Sequence, residues 1–341
     1  MTRPLHARPA GAHDPSGTIG STDRVRSTAQ APSAGDTTLA PSLAQSVAPT
    51  LVPTRVEVGP VAAASLSPRL QRAVGEAHVR FVLRRDQQAG SGPGVTGLDR
   101  LGQSGSAKIR LPRVYDGTPV AVMLNTAGGI TGGDRLAFTA EAGTGCHAVV
   151  TTQAAERAYR SPGGAGELSN RVTVGDGATL EWLPQETMLF DRSHLRRSLQ
   201  VDLTGTARFM GLEMVVLGRE AMGEAVATTS FRDAWTIRRD GRLVYADTIS
   251  FGPQTDGLQS AATLGGARAF ATFIDCGPEA EGNLALARAL IADLPLRAGV
   301  SAWNGRLLAR FLGSGSRVLR DGLMQFLHAY RGRPLPRVWH C

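Results

Sequence analysis

Four glycines fall within six positions, Gly128, Gly129, Gly132 and Gly133, directly after the apolar run 120–124. Glycine tolerates positive φ and lets another backbone approach closely, so two such pairs mark a tight loop. Gly128 and Gly133 have the outer spacing of a phosphate cradle, G-x-x-x-x-G-K-[ST]. Asp134 stands at its lysine position and Arg135 at its hydroxyl position, and a carboxylate there repels phosphate. The dinucleotide fingerprint G-x-G-x-x-G fails as well, because Ile130 occupies its second glycine. A phosphate- or nucleotide-binding transferase built on residues 124–135 is therefore the alternative reading. The plainer one is a strained loop between two strands.

Other chemistry-bearing residues are weaker signals. Cys146-His147 pairs two metal-ligand types, but neighbours on a strand point to opposite faces; a buried cysteine beside a hydrogen-bonded histidine is the simpler reading. Trp339-His340-Cys341 falls in a short C-terminal tail, expected to be too loose for a specific metal site. Ser193-His194 lacks the G-x-S-x-G turn of a nucleophilic hydrolase. The acids are more informative. Glu181, Glu186, Asp191, Glu213 and Glu224 sit in or beside apolar strand-like segments, where a carboxylate must find a partner or face water. Either they pair with arginines, or they form an acidic lining that passes a divalent cation weakly.

The elements that must hold these residues read as strands. Residues 78–84, 107–111, 120–124, 135–140 and 147–152 alternate or are β-branched, and 90–97 reads as a flexible loop. Asp176-Gly177, Asp240-Gly241 and Asn304-Gly305 each separate two such runs and predict three hairpins. Two helices are predicted near the C-terminus, over 283–294 and 316–330, the second with Leu319, Leu323, Phe326, Leu327 and Tyr330 on one face and Arg317, Arg320, Asp321 and Gln325 on the solvated one. The expected fold is mainly β, a many-stranded stacked or helical sheet architecture with these two helices. No sequence repeat of 20–50 residues is visible.

Composition sets the bounds. The chain has 341 residues, 42 % hydrophobic, with a formal net charge of +8. Almost all the positive charge is arginine, scattered rather than clustered, and nucleic acid is not an expected partner. Three distant cysteines argue against a disulfide framework. No run approaches the ~18 apolar residues of a membrane span, and no apolar segment follows the basic N-terminus as in a secretory signal; the expected compartment is the cytoplasm. Residues 1–65, rich in Ala, Pro, Ser and Thr, read as a disordered extension. Residues 66–332 form the expected domain, and 333–341 the tail.

Several stretches together resemble the urease accessory protein D family (called H in some organisms). The loop Asn125–Asp134 is similar to its N-x-x-G-G-x-x-G-G-D signature, carrying Gly128, Gly129, Gly132, Gly133 and Asp134. The run 151–161 resembles its T-T-x-A-A-x-x-x-Y-R-S segment, with Tyr159 and Arg160, and 182–186 its W-L-P-Q-E, with Trp182. Residues 218–224 resemble G-R-x-A-M-G-E, with Arg219 and Glu224. The order and spacing hold over roughly residues 70–331. Arg157, Gln153 and Glu156 depart from the family's usual lysine, proline and threonine. The resemblance implies a β-rich non-enzyme that matures urease: it docks on apo-urease, binds accessory protein F and, through it, the GTPase accessory protein G, and passes nickel through a water-filled passage. No tightly bound cofactor is implied, only transient Ni²⁺. The candidate acids for that path are Glu186, Glu181, Asp134 and Glu213.

Overall fold

The computed structural model describes residues 71–84 and 94–340. The expected extension over residues 1–65 lies outside them. Strand β1 (Val74–Arg84) is covered on one edge by an antiparallel partner, β2 (Val95–Gly105). β3 (Ala107–Arg110) pairs antiparallel with β4 (Val120–Asn125), and the backbone then begins to wind. β5 (Arg135–Ala142) lies parallel to β1, β6 (His147–Thr152) parallel to β4, and the short β7 (Glu156–Ala158) turns along a third side. β8 (Gly166–Val174), β9 (Thr179–Leu183) and β10 (Thr187–Leu189) repeat this circuit in parallel on β5, β6 and β7. β11 (His194–Leu203) and β12 (Arg208–Leu217) form the next coil, β12 running beside β9 and then beside β10. β13 (Ser230–Arg239) adds in parallel, and β14 (Arg242–Phe251), β15 (Ala269–Cys276), β16 (Arg297–Trp303) and β17 (Arg306–Gly313) close the stack with antiparallel pairs. The result is a β-solenoid of stacked coils, with one seven-stranded and one ten-stranded sheet among the described residues.

Apolar ladders hold the coils in register. Val79, Ala140, Val172, Val201 and Ile237 are successive partners across five strands, all at most 2 % exposed. On the third side Ile130, Ala158, Leu189 and Leu217 are likewise successive buried partners, so the glycine loop is the third side of the first coil. Strict alternation along β8 turns every second residue inward, the period-2 signal of a half-buried strand.

Two of the three predicted hairpins form. At Asp240-Gly241 and Asn304-Gly305 both turn residues have positive φ, as a two-residue hairpin requires. The third does not. At Asp176-Gly177 only Gly177 is left-handed, and the turn is a corner that carries the chain from β8 in one sheet to β9 in the other. Within the predicted loop 90–97, Val95–Gly97 instead begin β2.

Helices α1 (Leu284–Ala292) and α2 (Ser316–Arg331) are both present. The apolar face of α2 covers the outer side of the ten-stranded sheet, where Phe326 meets Phe273 and Phe311 edge-on. With both sheet faces covered, every residue of β15 is buried, as in any doubly packed strand. Residues 333–340 are not a loose tail: Trp339 is 1 % exposed and donates to the Thr151 hydroxyl and the Leu183 carbonyl. Arg320, expected on the solvated face of α2, reaches the Glu186 carboxylate at 2.9 Å and the Trp339 carbonyl, because that segment folds back over it.

Candidate functional site

A cavity of about 200 Å³ lies inside the solenoid, between the two sheets. It has room for several waters. Asn125, Gly128 and Glu156 stand at the glycine-loop end, and Asn170, Trp182, Thr187, Arg197 and Glu213 line the interior.

The loop at its mouth is built from its own backbone. Asn125 Nδ2 donates to the Gly129 carbonyl and to Glu156 Oε1, while its Oδ1 accepts from Ala127 N. Asp134 accepts from Thr131 N and Ala73 N, each at 2.8 Å, so it caps the loop and pins the chain entering β1. Ile130 pairs with the end of β7 through Ile130 N to Arg157 O and Tyr159 N to Ile130 O. Gly129 has φ 153°, and a Cβ there would lie 2.2 Å from a ring carbon of Tyr159 and 2.7 Å from the Arg157 carbonyl. Gly129→Ala is therefore expected to cost at least about 1–3 kcal/mol, read as a lower urea midpoint; an unchanged midpoint would show that the loop can relax.

Residues far apart in the sequence meet beside this loop. Tyr159 packs edge-on against Phe190, 5.3 Å between centroids, and donates to the Gly128 carbonyl. Arg219 lies 4.5 Å above the Phe190 ring and is doubly hydrogen-bonded to Glu224, which holds that carboxyl below its ordinary range. Gly132 faces Ser161 and the carbonyls of Gly163 and Gly164, where a Cβ would clash; Gly133 has φ 89°. Arg160 joins Ser193 in a single bridge and holds Thr131 through its carbonyl.

Of the four candidate acids, strand parity puts one in the cavity. Along β12 the odd-numbered residues face inward, and Glu213, 4 % exposed, is one of them. Its Oε1 accepts from Trp182 Nε1 at 3.0 Å and its Oε2 meets Arg197 at 2.5 Å. Burial, reinforced by Asp233, pushes its carboxyl up to about 7 against the opposing Arg197. Glu181 sits one residue from Trp182 and so on the other face of β9. There it binds Arg331, Arg333 at 2.6 Å and His147 at 2.8 Å. Burial alone would raise its carboxyl, but the His147 hydrogen bond and the two arginines leave it below the ordinary value. Glu186 pairs with Arg320 on the outer side. Asp134 serves the loop.

Cys146 is buried, with its thiol pushed up by desolvation; beside it, His147 is hydrogen-bonded. Sequence reading overlooked Glu156, Asn170 and Arg197. Glu156 keeps Oε1 on Asn125 and on Arg157 N, and burial pushes it up to about 7. Asn170 is 4 % exposed and its Oδ1 has no hydrogen-bond partner among the described residues. The Arg196-Arg197 pair looks like surface charge. The signal lay in its surroundings: Leu195, Arg197, Leu199 and Val201 alternate, placing Arg197 on the apolar face.

Comparison with known proteins gives one consistent result. The family described as UreD urease accessory protein matches residues 74–340. A urease accessory protein UreD of Rhizobium leguminosarum bv. trifolii is 44 % identical over 282 residues, covering 82 % of this chain and 99 % of the relative. One from Dinoroseobacter shibae is 44 % identical over 285 residues, 83 % and 98 % of the two chains. A urease accessory protein UreD 3 of Methylorubrum extorquens is 45 % identical over 287 residues, 82 % and 94 % of the two.

Proposed function

The chain belongs to the UreD urease accessory protein family, and from that membership we propose that it matures urease as a scaffold that delivers nickel. In this reading it docks on apo-urease, binds accessory protein F and the GTPase accessory protein G, and lets Ni²⁺ pass through the interior cavity into the enzyme. The observation that carries the passage is Glu213: a buried, inward-facing carboxylate deep in a cavity that begins at the glycine loop, where Glu156 supplies a second carboxylate. Carboxylate, hydroxyl and carboxamide oxygens hold Ni²⁺ less tightly than imidazole or thiolate would, which suits an ion that must leave again.

We place Glu181, Glu186 and Asp134 off this path because they do not line the interior cavity: Glu181 and Glu186 pair with arginines on the outer side, and Asp134 caps the glycine loop. The transferase alternative fares no better. The loop amides of Ala127, Gly128, Ile130, Thr131, Gly133 and Asp134 all bond within the protein, leaving them turned from any phosphate. In cells lacking this chain but supplied with nickel, apo-urease and the other accessory proteins, urease is expected to stay inactive. Full activity there would overturn the proposal.

A further inference from the structure

Arg197 is 3 % exposed and lies at the inner end of the cavity. Its Nε and Nη2 reach both oxygens of Asp233 at 3.1 and 2.7 Å, and its Nη1 reaches Glu213 and the Thr187 hydroxyl. Asp233 does not line that cavity. It lines a second one, of about 10 Å³, with Trp235, Asp247, Ile249 and Thr272. Ile249 and Thr272 also line a third, of about 330 Å³, which reaches the exposed Arg310. The guanidinium thus stands in the partition between a space that opens at the glycine loop and a series of spaces leading toward the far surface.

A buried ion triad is often only structural. Two features here point further. Each carboxylate has a second donor of its own: Trp182 Nε1 on Glu213 at 3.0 Å and Trp235 Nε1 on Asp233 at 3.2 Å. If the guanidinium withdrew, neither acid would lose its last hydrogen bond. Asn170, nine-tenths buried and more, lines the same cavity as Arg197 and Glu213 with a carboxamide oxygen that has no hydrogen-bond partner among the described residues, an acceptor that a hydrated cation would satisfy.

We propose that Arg197 is a built-in stand-in cation: its guanidinium closes the interior passage by holding the place between Glu213 and Asp233 that a divalent cation takes in transit. The inference rests on the nickel-delivery reading. It adds Asp233 and Asn170 to the path and makes entry an exchange of one cation for another, so the passage stays shut until an ion arrives. Two carboxylates around one guanidinium carry the charge needed for a divalent ion, and the arginine must only swing toward the cavity for the exchange.

The test is Ni²⁺ binding to the full chain by calorimetry. Arg197→Gln, folded by circular dichroism, is expected to bind Ni²⁺ at least tenfold more tightly than wild type, and adding Asp233→Asn should abolish the gain. A folded Arg197→Gln that binds no better than wild type overturns the proposal. Should Arg197→Gln fail to fold, the wild-type chain decides. Ni²⁺ seated between the two acids would quench the emission of Trp182 and Trp235, and Asp233→Asn would lose most of that quench, whereas equal quenching in both chains overturns the proposal. If these tests fail while urease activation still depends on the chain, the gate is wrong and the delivery reading stands. If activation does not depend on the chain, the delivery reading falls.

Discussion

Glu213→Gln is expected to leave the solenoid folded while lowering urease activation in cells by about tenfold or more, the scale on which removing one group that supports a metal site acts. Glutamine keeps the shape and can still accept from Trp182, so packing is preserved and the charge alone is removed. The pH behaviour separates this effect from a folding defect. Burial pushes the Glu213 carboxyl up to about 7 in the folded chain, above its ordinary value of 4.5. Between these two values the native state holds more protons than the unfolded one. Stability from this group is therefore complete below pH 4.5 and is lost as pH rises through about 7. Glu213→Gln should flatten that part of the stability–pH curve and match wild type most closely at low pH. Activation that stays at the wild-type level, with nickel content unchanged, would remove Glu213 from the path.

Glu181→Leu should instead act on the fold. Arg331 and Glu181 have side chains 2 % and 1 % exposed, and removing the acid leaves Arg331 buried beside Arg333 without its hydrogen-bonded counter-charge, with only the weaker field of Asp116 opposing it. Breaking a buried pair in this way costs about 3–5 kcal/mol, visible as a large drop in the urea midpoint. The sign with pH is opposite to that of Glu213. Glu181 is held below its ordinary value, so its contribution is present above pH 4.5 and is lost as pH falls through the depressed folded value. Wild type should lose stability on acidification over that range, and Glu181→Leu should lose less. A midpoint within a few tenths molar of wild type would mean that the two arginines find water.

Much of this molecule was legible in its sequence, and the illegible part has one physical cause. Strands and helices follow from local periodicity, and β6 was placed to the residue. A stacked sheet architecture was expected, but which strands pair in parallel did not show, because the partners lie about 30 residues apart or more and the ladders ask only for apolar bulk: Val, Ala, Val, Val and Ile serve in one, Ile, Ala, Leu and Leu in another. Asp176-Gly177 was misread for the same reason, since an Asp-Gly corner between sheets and an Asp-Gly hairpin share a dipeptide and differ only in the φ of the first residue. The acids were found as a class. Which of them faces inward depends on strand parity, and Glu181 beside Trp182 shows that a shift of one residue decides it.

The cavity takes its walls from successive coils: Asn125 from the first, Glu156 from the second, Asn170 and Trp182 from the third, Glu213 from the fourth. Neighbouring strands are spaced by about 4.8 Å, so three steps set a mouth-to-floor length of roughly 14 Å. The stack is thus a ruler. The cavity's length is counted in whole coils, and only the gain or loss of an entire circuit, not the drift of single side chains, would change how far an ion carried in the proposed role has to travel.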